Sequence, residues 1–412
     1  GGPGIRRLRI RRKPFERRLG PAMTTTAERR RAYSGPALFS MGFRPFFLFA
    51  ALWAALSVPL WIAAHSGLPP RVHFSAAWHA HEMLFGYLGA VIAGFLLTAV
   101  PNWTGRMPVA GPPLMALFGV WAAGRAAMLI SEHWPGAVYV DSAFLFLLAA
   151  IIAREVIAGR NIRNAFICVL VAMLAGANAL FHLGGELSLL AQRTALGVFA
   201  MLLALIGRRI VPSFTRNWMA RHGVAHEPAP HSRFDAASLA LTGSALAFWI
   251  LAPDSLGAGA ALTLAGLVNA KRLARWRGWR TSGEWLVFVL HIGYCWLALA
   301  FGLMGIAILA PSLIAPTAGL HALTAGAFGV MTLAVMTRAS LGHTGQALTA
   351  NRRIRAIYLL ANFGAAARVA SPFLPEANMP LLIASALLWC AAFLLFVLVY
   401  YPLLLRPRQI LS

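Results

Sequence analysis

The stretch "WHAHEMLFGYLGAVIAGFLLTAVPNWTGR" (residues 78–106) sets two histidines and a glutamate ahead of an apolar run that meets no further charge before Arg106. Such a run has the length and character of a transmembrane helix, because about 20 apolar residues cross a hydrocarbon core of ~30 Å. Comparable runs of about 17 residues or more recur along almost the whole chain. Hydrophobic residues make up 59% of the 412 and charged residues 12%, with a mean hydropathy of +0.69. A soluble domain is roughly a quarter charged, so this chain lacks the polar surface to face water on every side. The composition excludes a soluble enzyme and predicts an all-α fold, a polytopic transmembrane helix bundle embedded in a lipid bilayer.

The expected spans are 43–64, 79–100, 113–131, 136–153, 164–183, 187–207, 236–252, 256–270, 284–310, 316–337, 354–371 and 379–404. The span at 256–270 is short for a bilayer and reads as tilted or partly interfacial. The formal net charge is +24, and its distribution orients these twelve spans. With the N-terminus inside, the inside loops 101–112, 154–163, 208–235, 271–283 and 338–353 and the tail after 405 hold most of the arginines. The outside loops hold almost none, which satisfies the positive-inside rule with both termini cytoplasmic. The expected organisation is a basic cytoplasmic tail over 1–36, a twelve-helix transmembrane domain over 37–405 and a short cytoplasmic tail over 406–412.

A basic soluble protein would suggest nucleic acid. Here the one aromatic and basic stretch, "KRLARWRGWR" (271–280), lies between two apolar runs and reads as a cytoplasmic loop with interfacial tryptophans, so no nucleic-acid partner is expected. The Arg-rich start has no apolar h-region and is not a secretory signal peptide; Met23 is an alternative start. Cys168, Cys295 and Cys390 all fall within apolar runs without a pairing pattern and read as buried thiols. Loop 208–235, with Pro228 and Pro230, reads as irregular, and no internal repeat of the kind found in many secondary transporters is visible.

The twelve histidines divide by position. His65, His73 and His133 fall in or beside outside loops, and His222, His226 and His231 in the long inside loop, where solvated histidine is the default. His79 and His81 open the second span, His182 in "NALFHLGGE" closes the fifth, and His321 in "GLHALTAG" opens the tenth. These four share one membrane depth near the outer side. Ionisable groups at such positions tend to be functional, and neutral imidazole ligates haem iron, copper and zinc. At i,i+2 on a regular helix, His79 and His81 point about 200° apart. Either one of them faces a metal, or the first turn is distorted so that both do.

Glu82 and Glu186 are candidates for orienting imidazole N–H groups or for carrying protons. Arg125 and Arg368, buried in the outer halves of their spans, suit haem propionates, or else pair with Asp141 or Glu186. His291 in "FVLHIGYCW" and His343 in "RASLGHTG" lie toward the inside, about a bilayer thickness away. They imply a second centre, or a structural histidine beside a single one.

Three stretches resemble one family: "SMGFRPFFLFA" (40–50), the opening stretch at 78–106, and "HALTAGAFGVMTLAVMTRASLGHTG" (321–345) look like the signature segments of NnrS family proteins. The resemblance runs from about residue 37 to the C-terminus. It implies a multi-pass bacterial inner-membrane protein of twelve helices containing haem b and copper, linked to nitric oxide and nitrosative stress. Its implied ligands fall on His79, His81, His182, His291, His321 and His343, without saying which holds which metal. Reduction of nitric oxide to nitrous oxide by such a membrane oxidoreductase would need a quinol or another electron donor, since no CxxCH haem-attachment motif occurs. The alternatives are a multi-pass transporter for copper or a small anion, and a metal-holding assembly factor.

Overall fold

In the computed structural model, which describes residues 33–66, 74–131, 134–224, 228–230 and 232–407, each expected span is a helix. They are α1 (Phe43–His65), α2 (Ala76–Thr104), α3 (Pro112–Leu129), α4 (Ala137–Ala158), α5 (Ala165–Phe181), α6 (Gly185–Arg221), α7 (Arg233–Leu251), α8 (Leu256–Arg275), α9 (Trp285–Leu309), α10 (Pro316–Thr344), α11 (Arg352–Ala370) and α12 (Asn378–Leu405). No strand occurs among the described residues. The N-terminal tail through residue 32, with Met23, and His73, His133, His226, His231 and Arg408 lie outside them.

Nine of these helices are long and apolar enough to cross a membrane: α1, α2, α3, α5 (extended to begin at Ile162), α6, α7, α9, α10 and α12 (extended to begin at Pro375). The protein is therefore a multi-pass membrane protein. The other three also carry charge: α4 has Asp141, Arg154 and Glu155, α8 has Lys271, Arg272 and Arg275, and α11 has four arginines.

Helix ends follow local chemistry. Ser75 opens α2 by accepting the Trp78 amide at 3.1 Å, Asn351 opens α11 by accepting the Ile354 amide at 3.0 Å, and Ser232 with Asp235 forms a capping box on α7. Glu284 caps α9 through the Leu286 amide at 2.9 Å and also takes the Ala350 amide at 3.1 Å, pinning the start of α9 to the segment before α11.

Several helices outrun their sequence boundaries, three of them with consequences for the reading. α6 has 37 residues, about 55 Å at 1.5 Å per residue, and so is longer than a bilayer is thick. The first half of the long loop after 207 is thus regular helix rather than irregular chain. α8 has 20 residues, its last five a charged turn beyond the apolar run, and it is not among the nine. α10 runs through Arg338 to Thr344, so His343 sits on its last turn rather than in a loop. In all three the charged residues ride on helix that continues past the apolar run, which a hydropathy boundary cannot register.

α2 and α10 form the centre. Their apolar windows are 83% and 67% buried, against 33–50% for the other seven apolar helices. α2 packs on α1, α3, α4 and α6; α10 packs on α9, α11, α12, α1 and α6. Each changes from α to π geometry directly after a histidine, over Glu82–Leu88 following His81 and over Ala322–Gly329 following His321. π turns of this kind re-aim side chains and recur at functional sites. Tyr87 in the first π segment meets Thr332, just past the second, with Oη and Oγ1 2.5 Å apart. The bundle closes where α12 returns to α1. There Arg44, 3% exposed, donates to the carbonyls of Leu403, Leu404 and Arg406 at 3.4, 2.8 and 2.7 Å, capping the end of α12 with a cation.

Candidate metal centre

His79 and His81 leave α2 on opposite sides and enter two different sites. The turn that carries them is ordinary α-helix, Ala76–His81, and the π geometry begins only at Glu82. The i,i+2 divergence therefore stands undistorted.

On one side lies a closed ionic cluster. His81, Glu82 and Asp141 are 0% exposed, Asn178 1% and Arg125 4%. His81 Nδ1 meets Glu82 Oε1 at 2.9 Å, while its Nε2 meets Asp141 Oδ2 at 3.1 Å and Asn178 Oδ1 at 3.0 Å. His182, on the residue after α5, brings its Nε2 to the same Asp141 Oδ2 at 3.0 Å. Arg125 donates to Glu82 Oε2 at 2.5 Å and to Asp141 Oδ1, and Trp53 Nε1 donates to Glu82 Oε2 at 2.7 Å. Gly86 makes room for this. A Cβ there would stand 2.6 Å from Arg125 Nη1, 2.7 Å from Glu82 Oε2 and 3.0 Å from Trp53 Nε1.

Charge explains the composition of the cluster. Two carboxylates against one guanidinium leave one negative charge in a setting where an uncompensated charge is very costly. One further positive charge closes the sum. A ring whose two nitrogens both face carboxylate oxygens supplies it as an imidazolium; a monovalent metal ion would supply it equally. The donor atoms suit a metal, because those of His81, Asp141 and His182 lie within 4.8 Å of one another. The opposite nitrogen of His81 is held by a carboxylate, the usual support of a metal-bound imidazole.

On the other side of α2 lies a cavity of about 380 Å³. His79, His321 and Arg368 line it together with Met83, Tyr87 and Gln192. The His79 ring stacks on Trp61, with centroids 4.5 Å apart, and its Nδ1 is buried without a partner among the described residues. His321 Nδ1 lies 2.8 Å from the Thr317 carbonyl. A carbonyl only accepts, so this nitrogen holds the hydrogen and Nε2 is left with its lone pair. Arg368 donates one arm to Ser371 Oγ at 3.1 Å.

The outer histidines thus fall into two pairs, His81 with His182 and His79 with His321. Arg368 lines the open cavity. Arg125 does not: both of its terminal nitrogens are taken by Glu82 and Asp141, the ion-paired alternative to a propionate, because its helix places it against the closed cluster. Glu186 stands exposed on the first turn of α6 and makes no ion pair with Arg125. Asn178 and Trp53 complete the cluster without having been singled out in the sequence. For Asn178 a signal existed, since it precedes His182 by four residues and so shares its helix face.

The inner histidines stay apart. His343 packs on Phe43 with centroids 5.4 Å apart. His291 is 5% exposed and lies beside Trp276, whose ring centroid is 6.4 Å from its own. Its cavity does not include His343. Close by is a buried polar chain that loop-level reading missed. Arg272, 0% exposed, pairs with Asp235 at 3.3 Å and donates to Tyr294 Oη at 2.9 Å; Tyr294 donates to Asn269 Oδ1 at 2.6 Å. Cys295 is exposed, whereas Cys168 and Cys390 are half-buried.

Set against known proteins, no curated protein and no solved structure matches the chain. The family model described as NnrS protein matches residues 37–408, a stretch that takes in all twelve helices and both histidine pairs. The chain belongs to the NnrS family.

Proposed function

We propose that this is a haem- and copper-holding membrane protein that binds nitric oxide and, supplied with reductant, converts it to nitrous oxide. The family association with nitric oxide, haem and copper supports the class. The observation that carries the assignment to residues is the split on α2, where one turn of helix feeds two chemically different sites.

The cavity fits haem. It has the size of a cofactor pocket, ~300–1,000 Å³, and it has two imidazoles from different helices, one buried nitrogen without a partner, and an arginine with an arm to spare for a propionate. His79 and His321 would hold the iron and Arg368 would meet the propionate. The closed cluster fits copper, with His81, His182 and Asp141 as ligands, Glu82 orienting His81, and Arg125 balancing the charge. Iron and copper supply the binding of nitric oxide and one-electron chemistry when present.

The chain's own residues set the surroundings. Trp61 and Tyr87 wall the cavity and, with its apolar lining, limit water. A small apolar gas reaches such a site through lipid and needs no aqueous channel. Joining two molecules of nitric oxide into nitrous oxide and water consumes two protons and two electrons. Glu82 and His81 are the proton-holding groups nearest in sequence to His79. A carrier for copper or a small anion is the lesser reading, since Arg125, Glu82 and Asp141 close on one another in ion pairs instead of lining a path.

The test is spectroscopic. Purified protein should show haem bands in the reduced-minus-oxidised spectrum, contain copper, and shift its haem bands on addition of nitric oxide. Absence of both haem and copper would overturn the proposal. Shifted bands without nitrous oxide in the presence of reductant would reduce it to binding alone.

A further inference from the structure

A groove of about 670 Å³ runs between α8 and α9, away from both histidine pairs. Its walls are almost entirely apolar, including Leu267, Leu273, Phe288 and Leu299. It opens sideways onto the lipid-facing surface, where Leu267 is 65%, Leu299 46% and Trp279 60% exposed.

One polar side chain stands in its wall with work undone. His291 Nε2 lies 2.8 Å from Thr215 Oγ1, and that hydroxyl gives its own hydrogen to the Val211 carbonyl at 2.8 Å. Thr215 can then only accept, so His291 carries its hydrogen on Nε2, and Nδ1 is a bare acceptor. No donor reaches Nδ1 among the described residues. Gly278, also in the groove wall, lies against the ring. A Cβ there would come within 2.3 Å of Nδ1, so only glycine lets the ring keep this place in the groove wall.

A buried acceptor in an apolar cleft is completed by an apolar molecule that carries an O–H group. Acyl chains have none. A membrane hydroquinone has an aromatic head with two O–H groups on an apolar tail, matching both the lipid-side opening and the single acceptor. We propose that the α8–α9 groove binds the reduced form of a membrane quinone, with one of its hydroxyls donating to His291 Nδ1. The inference deepens the proposed function by naming where its reductant docks. It rests on that function for the use of the electrons and not for the binding. One hydroquinone carries two electrons and two protons, the amount that two molecules of nitric oxide consume on becoming nitrous oxide and water.

The test compares a short-tailed hydroquinone with its dimethyl ether, which keeps the ring and loses both donors. Affinities are measured by calorimetry on the full-length protein in detergent under dithionite, so that neither compound is consumed. The hydroquinone should bind about 10-fold more tightly than the ether, the scale set by satisfying one buried acceptor. His291→Phe should bring the two affinities together. Thr215→Val, which removes the hydroxyl that fixes the imidazole hydrogen while keeping the side-chain shape, should narrow the gap and guards against a His291 variant that fails to fold. Equal affinities in the wild type, or an undiminished gap in His291→Phe or in Thr215→Val, would overturn the proposal. Because the readout needs neither haem nor nitric oxide, the docking site and the proposed function can fail separately.

Discussion

The two faces of α2 differ in kind. On the His81 face every carboxylate oxygen of Glu82 and Asp141 has a partner, the guanidinium bridges both acids, and the central residues are withdrawn from solvent. On the His79 face there is room, an imidazole nitrogen without a partner among the described residues, and an arginine with one arm engaged. The first face is a charge balance that holds helices α2, α3, α4 and α5 together. The second is a receptacle between α2 and α10. Two histidines separated by a single residue can therefore carry unrelated duties, and the difference predicts how each face responds to damage.

The largest effect is expected from Arg125→Ala. It leaves two fully buried carboxylates to share His81 and His182, and breaking a buried pair in this way costs about 3–5 kcal/mol. A fall in Tm of the detergent-solubilised protein well beyond that of His321→Ala, which faces open space, would bear out the contrast. Equal falls would erase it. Next is Gly86→Ala, whose methyl would press on Arg125, Glu82 and Trp53 at once. Overpacking of this kind costs about 1–3 kcal/mol, and copper content should fall with stability while haem content holds. The smallest is Tyr87→Phe, which removes the link from the first π segment of α2 to Thr332 on α10 at a cost of about 1 kcal/mol. A modest drop in Tm with both metals retained is the expected outcome, and loss of haem would show that the link also shapes the cavity.

Much of the helix bundle could be read in the chain, because a bilayer imposes a length on every crossing and the apolar runs declare it. The ends were harder. α6 and α10 continue as helix after their apolar character stops, so hydropathy puts Arg338 and His343 in a loop where the chain is helical. Arg272 sits in "KRLARWRGWR", which reads as a loop, yet it is buried against Asp235 and Tyr294 on a helix that outlasts its apolar part. At the site, the gathering of His79, His81, His182 and His321 at one end of the bundle followed from counting spans. Their division into pairs did not, because it depends on which helices lie on each side of α2, and sequence spacing carries no record of that. The i,i+2 geometry already held the clue, since about 200° of separation with no distortion sends the two rings apart. Arg125 illustrates the same limit: an arginine in an apolar span announces an anionic partner, but only the packing of α3 on α4 decides that the partner is Asp141.

The central claim is that His79 and His81 serve different centres, and the most direct test is to purify His79→Ala and His81→Ala side by side and measure haem and copper in each. Loss of haem with copper kept in His79→Ala, and loss of copper with haem kept in His81→Ala, is the predicted result. Loss of the same cofactor from both variants would contradict it.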